Sequence, residues 1–160
     1  MSTDFFLVLP GITGESSDHV YKYAIDIDSI GWDLKSSGTT HVGRGGGSGK
    51  VEVDSISLTK FVDRATPNLI KACCTGRHFE KASVIVRKAG EKPLEYLRFE
   101  LEDVLINRVS QGGKNSNDQI KETVYLTFAS FRIIYTPQSE SGGMLAKVEG
   151  GFRIAENIST

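Results

Sequence analysis

The chain has 160 residues, a length that predicts a single domain over residues 1–160 with enough sequence to bury a substantial core. Lysine and arginine together number 19, against 20 aspartate and glutamate residues, which gives a formal net charge of −1 at pH 7. This balance argues against general nucleic-acid binding, which normally needs a basic surface. No apolar run approaches the roughly 20 residues needed to cross a membrane, so we expect no membrane insertion.

The N-terminus and the cysteines indicate a cytoplasmic protein without a cleaved signal peptide. The first apolar run, Phe5–Leu9, is shorter than the roughly 7–15 residues of a secretory signal, and Asp4 precedes it instead of a basic residue. The two cysteines, Cys73 and Cys74, are adjacent, and a disulfide between neighbours is strained. The chain therefore lacks the disulfide framework that is typical of small secreted domains.

Apolar alternation of period two predicts a mainly β fold with a single helix. In chain order, the predicted strands are Phe5–Leu9, Tyr23–Leu34, Val51–Phe61, Phe79–Lys88, Leu94–Val109, Glu122–Tyr135 and Lys147–Ile154. The helix is predicted from Pro67 to Thr75, with Thr66 as its N-cap and Gly76 just after its end.

Three of the predicted strands change the parity of their apolar residues partway. In Tyr23–Leu34 these residues fall on odd numbers up to Ile27 and on even numbers from Ile30, and Val51–Phe61 and Glu122–Tyr135 switch in the same way. A β-bulge or a sharp bend changes the buried face of a strand in this manner. We therefore predict a small β-barrel of two packed antiparallel sheets with one flanking α-helix.

Two polar segments interrupt the pattern. Gly38–Gly49 holds six of the 17 glycines, which predicts a long, extended glycine-rich loop, and Gln111–Gln119 is a second polar loop. The first does not match a phosphate-binding loop, because Arg44 stands where that motif needs glycine and Val51 where it needs Ser or Thr. Long loops in compact domains are usually either functional or disordered.

The sequence predicts no catalytic residue, no metal ligand and no cofactor. The three histidines, His19, His41 and His78, are far apart and have no partner at metal-ligand spacing. Asp26 and Asp28 alternate with isoleucines, so we interpret them as the polar side of a half-buried strand. Both cysteines fall in the helix pattern and are interpreted as small buried hydrophobes. An assembly part or a binding module is favoured over an enzyme.

Motifs along the whole chain are similar to those of one known family. They are Asp4–Leu7, Gly14–Asp18, Ile25–Trp32, Ser37–Val51, Thr66–Leu69, Gly76–His78, Val86–Gly90, Glu95–Leu97, Tyr135–Gln138 and Gly151–Ile154. On these residues the chain resembles the haemolysin-coregulated protein (Hcp) family, the tube-forming subunits of the bacterial type VI secretion system. The stretch Lys114–Asp118 departs from the family, because many relatives are richer in glycine there.

The resemblance implies a homohexameric ring, and rings that stack into a hollow tube inside a contractile sheath. The tube would be exported with its tip proteins, without a cleaved signal peptide. Sheath, tip and baseplate proteins are the implied partners, together with effector proteins held in the ring lumen. The expected ring-stacking loop consists of His41, Val42, Gly43, Arg44, Gly45, Gly46, Gly47, Ser48 and Gly49. Gly31 is expected on a strand that faces the lumen.

Two alternatives stay open from the sequence. One is a protein-binding adaptor of the same fold that never polymerises. The other is an enzyme whose catalytic triad assembles in space, because such triads are recognised by geometry rather than by sequence spacing. The mass of the assembled particle separates the tube subunit from the adaptor, and a pocket without a nucleophile–base pair would exclude the enzyme.

Overall fold

The computed structural model describes residues 2–38, 50–116 and 119–160. Within them it contains one helix, α1 (Thr66–Thr75), and eleven strands. The strands are β1 (Thr3–Val8), β2 (Ile25–Ile27), β3 (Ser29–Gly31), β4 (Leu34–Ser36), β5 (Val51–Val53), β6 (Ile56–Phe61), β7 (His78–Lys88), β8 (Leu94–Gly112), β9 (Lys121–Tyr135), β10 (Val148–Arg153) and β11 (Ile158–Ser159). Each predicted element is present, and the second and third predicted strands are each divided.

The nine-stranded main sheet is organised around β9. This strand pairs with β8 along its length, while its N-terminal half also pairs with β6 and its C-terminal half with β10. From β8 the sheet continues through β7 and β1 to β2, and from β10 to the edge strand β11. β4 and β5 form a separate two-stranded sheet. All of these pairs are antiparallel.

The mainly β class with two sheets and one helix is confirmed, but a continuous hydrogen-bond ladder does not close the barrel. β2 pairs with β1, and after Asp28 the chain becomes β3 and pairs with β6 instead. At this change the Asp28 N–H donates to the Thr59 carbonyl at 2.7 Å. This change of partner explains the parity switch between Ile27 and Ile30. The bend at Asp28 also connects the β1–β2 end of the main sheet to β6.

The parity switch in β9 coincides with a bend in its partner β8. Leu101 and Val104 are both buried, so the buried face of β8 changes between them, and Asp103 has a left-handed backbone there with φ 51°. A β-bulge follows between Ile106 and Arg108. Bulges bend a strand and increase its twist. The two longest strands can therefore wrap around the core and bury apolar side chains in both of their halves.

The core lies inside this wrapped sheet, and α1 covers it beside β8. Its largest fully buried apolar side chains are Leu7, Ile25, Ile56, Leu58, Leu69, Leu101 and Leu126. Leu69 is the residue of this set that belongs to α1. No helix among the described residues is long and apolar enough to span a bilayer.

The start of α1 differs from the prediction by one residue. Ala65 occupies the N-cap position and Thr66 is the first helical residue, so the assignment of Thr66 as the N-cap is corrected. The Thr66 hydroxyl accepts the Asp63 N–H (3.0 Å) and donates to Glu122 Oε1 (2.6 Å), so it links the start of the helix to β9. The predicted end is confirmed, because Gly76 has the left-handed backbone (φ 64°) that glycine adopts without a steric cost.

Candidate functional site

The predicted ring-stacking loop, His41–Gly49, lies outside the described residues, and only its stem can be placed. β4 and β5 pair as the two arms of a hairpin. Beyond them the Ser37 N–H and hydroxyl both donate to the Lys50 carbonyl, at 3.3 and 3.1 Å. The chain therefore leaves and re-enters the described structure at neighbouring positions.

Trp32, the only tryptophan of the chain, joins this stem to the core. Its ring makes edge contacts with Phe99, Phe128 and Phe131, at centroid separations of 5.9, 6.0 and 4.9 Å. The indole N–H donates to the Asp54 carbonyl at 2.9 Å. Edge-to-face aromatic pairs contribute about 0.5–1.5 kcal/mol each beyond their buried area. The stem is therefore attached to the barrel by a directional contact.

Gly31, the predicted lumen-facing residue, lies in β3 opposite Ser57 and is exposed. A Cβ at this position would lie 2.8 Å from the Ser57 hydroxyl, which donates to the Gly31 carbonyl at 3.2 Å. An open cavity of about 380 Å³ adjoins it, with Asp33, Asp54 and Tyr125 in its lining. Whether this surface faces a lumen stays a prediction.

A first group of exposed apolar side chains lies at the N-terminal end of β9, and we call it the proximal patch. It consists of Phe61, Val62 and Ile120, whose exposed fractions are 37%, 44% and 51%. The Val62 N–H donates to the Ile120 carbonyl at 2.9 Å, so these two residues are neighbours. Phe61 lies opposite Lys121 in the β6–β9 pair.

A second group, the distal patch, lies at the C-terminal end of β9. It consists of Tyr135, Met144, Leu145 and Val148, which are all exposed. Tyr135 and Val148 are direct partners in the β9–β10 pair, and the Leu145 N–H donates to the Pro137 carbonyl at 2.8 Å. Exposed apolar side chains grouped in this way are candidates for an interaction surface. Two different apolar patches therefore lie at opposite ends of one strand.

A buried ionic cluster, the Lys60 cluster, links β6, β8, β9 and the start of α1. The Lys60 ammonium lies 2.5 Å from Glu122 Oε1 and 2.8 Å from Asp63 Oδ1, and both Lys60 and Glu122 are fully buried. Thr66 and Gln111 also donate to the Glu122 carboxylate. Burial alone would raise the pKa of Glu122, but the hydrogen bonds from Lys60, Thr66 and Gln111 outweigh it and hold the pKa below its usual value.

A second cluster, the Arg87 cluster, attaches the loop between β1 and β2 to the sheet. Arg87 is 5% exposed, donates to both carboxylate oxygens of Asp18 and also pairs with Asp4 at 3.1 Å. Its guanidinium lies over the rings of Phe6 and Tyr21. The hydrogen bond from Arg87, assisted by the Tyr21 N–H, holds the pKa of Asp18 well below its usual range.

The described residues that were candidates for chemistry are spread over several elements: His19 lies in the loop between β1 and β2, Asp26 in β2, Cys73 and Cys74 in α1, and His78 in β7. His19 and His78 are exposed, and His41 lies outside the described residues. Cys73 is half-buried, but Cys74 is exposed, so its interpretation as a buried hydrophobe was wrong. Within residues 2–38, 50–116 and 119–160, no group of three His, Cys, Asp or Glu side chains could hold a metal ion.

The chain is therefore a mainly β protein, and the most prominent features of its described surface are the two apolar patches. A family model described as type VI secretion system effector, Hcp, matches residues 6–135. The chain is 39% identical to Protein hcp1 of Pseudomonas aeruginosa over 99% of both chains. It also superimposes on the crystal structure of Hcp1 from Salmonella typhimurium with a TM-score of 0.79 and 31% identity over the whole of both chains.

Another solved structure, described as a type six secretion system protein, has a TM-score of 0.93 at 21% identity and covers 99% of this chain and 100% of that one. At that identity it supports the fold alone. Together with the family match and the full-length relative, the chain belongs to the Hcp family of the type VI secretion system. This is a family of secreted structural proteins and not a family of enzymes.

Proposed function

We propose that this protein is a subunit of the inner tube of a type VI secretion system, that it assembles into hexameric rings which stack, and that it is itself exported. The observation that carries the proposal is the 39% identity to an Hcp protein across 99% of both chains. Likeness over the full length, rather than over one motif, supports a shared subunit architecture.

The two apolar patches support a ring physically. A ring needs a heterologous contact, in which one surface of a subunit binds a different surface of the next and the rotation closes. The proximal patch and the distal patch are different surfaces at opposite ends of β9, so each copy offers one of each. We propose that the proximal patch of one subunit packs against the distal patch of its neighbour.

Two single variants test this pairing. Val148→Asp places a charge in the distal patch and Ile120→Asp places one in the proximal patch, and both residues are exposed in the single chain. Each variant alone should give monomers by native mass spectrometry, while the parent protein gives hexamers. A 1:1 mixture should give heterodimers, because one intact patch of each kind remains and the other two cannot pair.

The control is Val20→Asp, which changes an apolar residue that is 69% exposed and belongs to neither patch. We expect it to form hexamers like the parent protein. If both patch variants still form hexamers, the pairing of patches is wrong. If the parent protein itself stays monomeric at micromolar concentration, the tube subunit is rejected in favour of a non-polymerising adaptor of the same fold.

We further propose that His41–Gly49 mediates the stacking of rings. Its composition offers one apolar side chain, Val42, and one charge, Arg44, so the barrel would gain little from packing it. An exposed ion pair is worth about 0–1 kcal/mol, but copies repeated around a ring act together. Deletion of Arg44–Gly47 should leave the hexamer and the melting temperature unchanged and abolish tubes in negative-stain micrographs. Unfolding or loss of hexamers would assign the loop to the fold or to the ring contact.

The remaining partners are proposed on the same basis. The tube would lie inside sheath proteins and contact tip and baseplate proteins, and effectors would bind in the lumen near Gly31. Gly31→Arg tests the last point, because Gly31 is exposed and a Cβ at this position would meet only the movable hydroxyl of Ser57. We expect hexamers of normal mass that no longer protect a co-expressed effector from proteolysis. Unchanged protection would place Gly31 away from the lumen.

A further inference from the structure

The stem of the glycine-rich segment joins the barrel where the chain crosses between the two sheets. β3 belongs to the main sheet and β4 to the separate hairpin, so the chain crosses between the sheets at Trp32 and Asp33. The return crossing, between β5 and β6, occurs at Asp54 and Ser55. Both arms of the hairpin therefore leave the main sheet side by side, and the direction of the stem depends on the contacts made at these four residues.

Trp32 contacts both crossings. Its indole N–H donates to the Asp54 carbonyl (2.9 Å), and the Asp54 N–H donates to the Asp33 carbonyl (3.1 Å). The Trp32 ring is held in turn by Phe99 of β8 and by Phe131 of β9. One side chain thus connects the outgoing arm, the returning arm and the aromatic part of the core.

The rest of the stem offers little that would hold its direction. All three residues of β4 are exposed, and β5 is at most half-buried. Among the described residues of the stem, Trp32 and Val53 are the apolar side chains that pack against the core. Loss of the Trp32 contacts would therefore leave the hairpin paired within itself and less restrained on the barrel, with Val53 still packed against the core.

We propose that Trp32 is a positioning residue for ring stacking, which sets the direction in which the hairpin stem leaves the barrel. This inference rests on the proposed role of His41–Gly49 in stacking. Because identical contacts repeat around a ring, a twofold weakening at each of six sites would compound to about 60-fold for a ring junction. A small loss of orientation at each stem would then have a large effect on tubes and little effect on single rings.

Two replacements separate the indole N–H from the aromatic ring. Trp32→Phe removes the donor and part of the ring, whereas benzothienylalanine at position 32 removes the donor and keeps the bicyclic shape. Both variants should form hexamers, and both should need at least tenfold more protein to form tubes in a sedimentation assay. Phe152→Leu is the matched control, since Phe152 belongs to β10 rather than to the stem and its ring lies near that of Phe131.

The control should lower the melting temperature without changing the concentration at which tubes form. Normal stacking of the benzothienylalanine protein would overturn the positioning role of the N–H, and equal loss of stacking in Phe152→Leu would show that Trp32 acts only through core stability. Because Trp32 is the only tryptophan, its emission should also shift when wild-type rings stack, and an unchanged emission would contradict the inference.

The failure of this inference can be told apart from failure of the proposed function. If deletion of Arg44–Gly47 leaves tubes intact, the stacking role of the loop fails and the positioning role fails with it. If that deletion abolishes tubes while both Trp32 variants stack like the parent protein, the stacking loop stands and only the positioning role is rejected.

Discussion

Replacement of Lys60 by methionine tests the energetic role of the buried ionic cluster. Lys60→Met keeps an unbranched side chain of similar length but leaves the Glu122 carboxylate without its cation at a fully buried position. Breaking a buried ion pair by removing one partner costs about 3–5 kcal/mol. Thr66 and Gln111 still donate to Glu122 at 2.6 and 2.9 Å, so we expect a loss of about 3 kcal/mol in the free energy of unfolding at pH 7.

The loss should depend on pH in a defined direction. In the parent protein the pKa of Glu122 is lowered on folding, so its contribution is fully present above the unfolded value of about 4.3 and is lost as the pH falls through the lower folded value. Without Lys60, we expect burial, which is the largest single effect on Glu122, to outweigh the remaining hydrogen bonds from Thr66 and Gln111 and to raise the pKa of Glu122 above its value in the unfolded chain. The variant therefore gains stability as the pH falls from 7 to about 5, and its deficit relative to the parent narrows.

Urea unfolding of the two proteins at both pH values provides the measurement. It should be made in the Val148→Asp background, so that subunit association does not add to the stability. The single variant Glu122→Leu and the double variant Lys60→Met/Glu122→Leu complete a double-mutant cycle. The double variant should be less destabilised than Lys60→Met alone, because the fully buried Glu122 carboxylate is removed together with its cation. A loss below about 1 kcal/mol for Lys60→Met, or a deficit that does not change with pH, would refute this account of the cluster.

Three further substitutions probe other parts of the molecule. Leu69→Ala should lower the free energy of unfolding in urea by about 2–5 kcal/mol, because Leu69 is fully buried. Lys71→Ala, on the exposed side of α1, should lower it by less than about 0.5 kcal/mol. Similar values for the two variants would show that the buried face of the helix is misassigned. Asp18→Asn should lower the melting temperature at neutral pH, because the pKa of Asp18 is lowered on folding. The melting temperatures of the variant and the parent should converge as the pH falls below about 4, and a difference that persists at low pH would contradict this. Gly14→Ala should destabilise strongly, because its Cβ would overlap the Ala24 carbonyl oxygen, and an unchanged melting temperature would refute the close approach.

The strands and the helix could be predicted because alternation reports which side of a strand is buried. The parity switches were informative in the same way, since the breaks at Asp28 and Asp103 lie where the apolar residues change face. The sequence did not predict which strands would pair around those bends. That choice depends on contacts between distant segments, such as the donation from the Asp28 N–H to Thr59, which local patterns do not encode.

The Lys60 cluster had a sequence signal that was missed. Lys60 follows Ile56 and Leu58 on the buried parity of its strand, and Glu122 precedes Val124 and Leu126 on the buried parity of β9. A charged residue at a buried position needs a partner of opposite charge. The structure supplies it in register, because Lys60 and Glu122 are direct partners in the β6–β9 pair. The two strands could therefore have been matched from their charges.

The apolar patches could not have been found by the same reasoning. Apolar alternation identifies residues that face the core, but it does not predict which apolar residues are exposed. Ile120 and Leu145 also lie outside the predicted strands. Their grouping arises because Val62 meets Ile120 across β6 and β9, and because the segment after Tyr135 folds back to bring Leu145 near Pro137. A surface that forms where the chain folds back on itself can be identified only from a three-dimensional structure.

The positions of the two buried ionic clusters bear on how a subunit could present both patches. Buried ion pairs add little net stability, but a single satisfied arrangement can select one register over its neighbours. The Lys60 cluster holds β6 against β9 directly beside the proximal patch, through the pair of Lys60 with Glu122. The Arg87 cluster holds Asp4 of β1 and Asp18 of the following loop against β7. Ring closure requires the angle between two contacts to be the same in every copy. A register error in β6 would displace Phe61 and Val62 relative to the distal patch, so we infer that the Lys60 cluster fixes the position of the proximal patch as well as the fold.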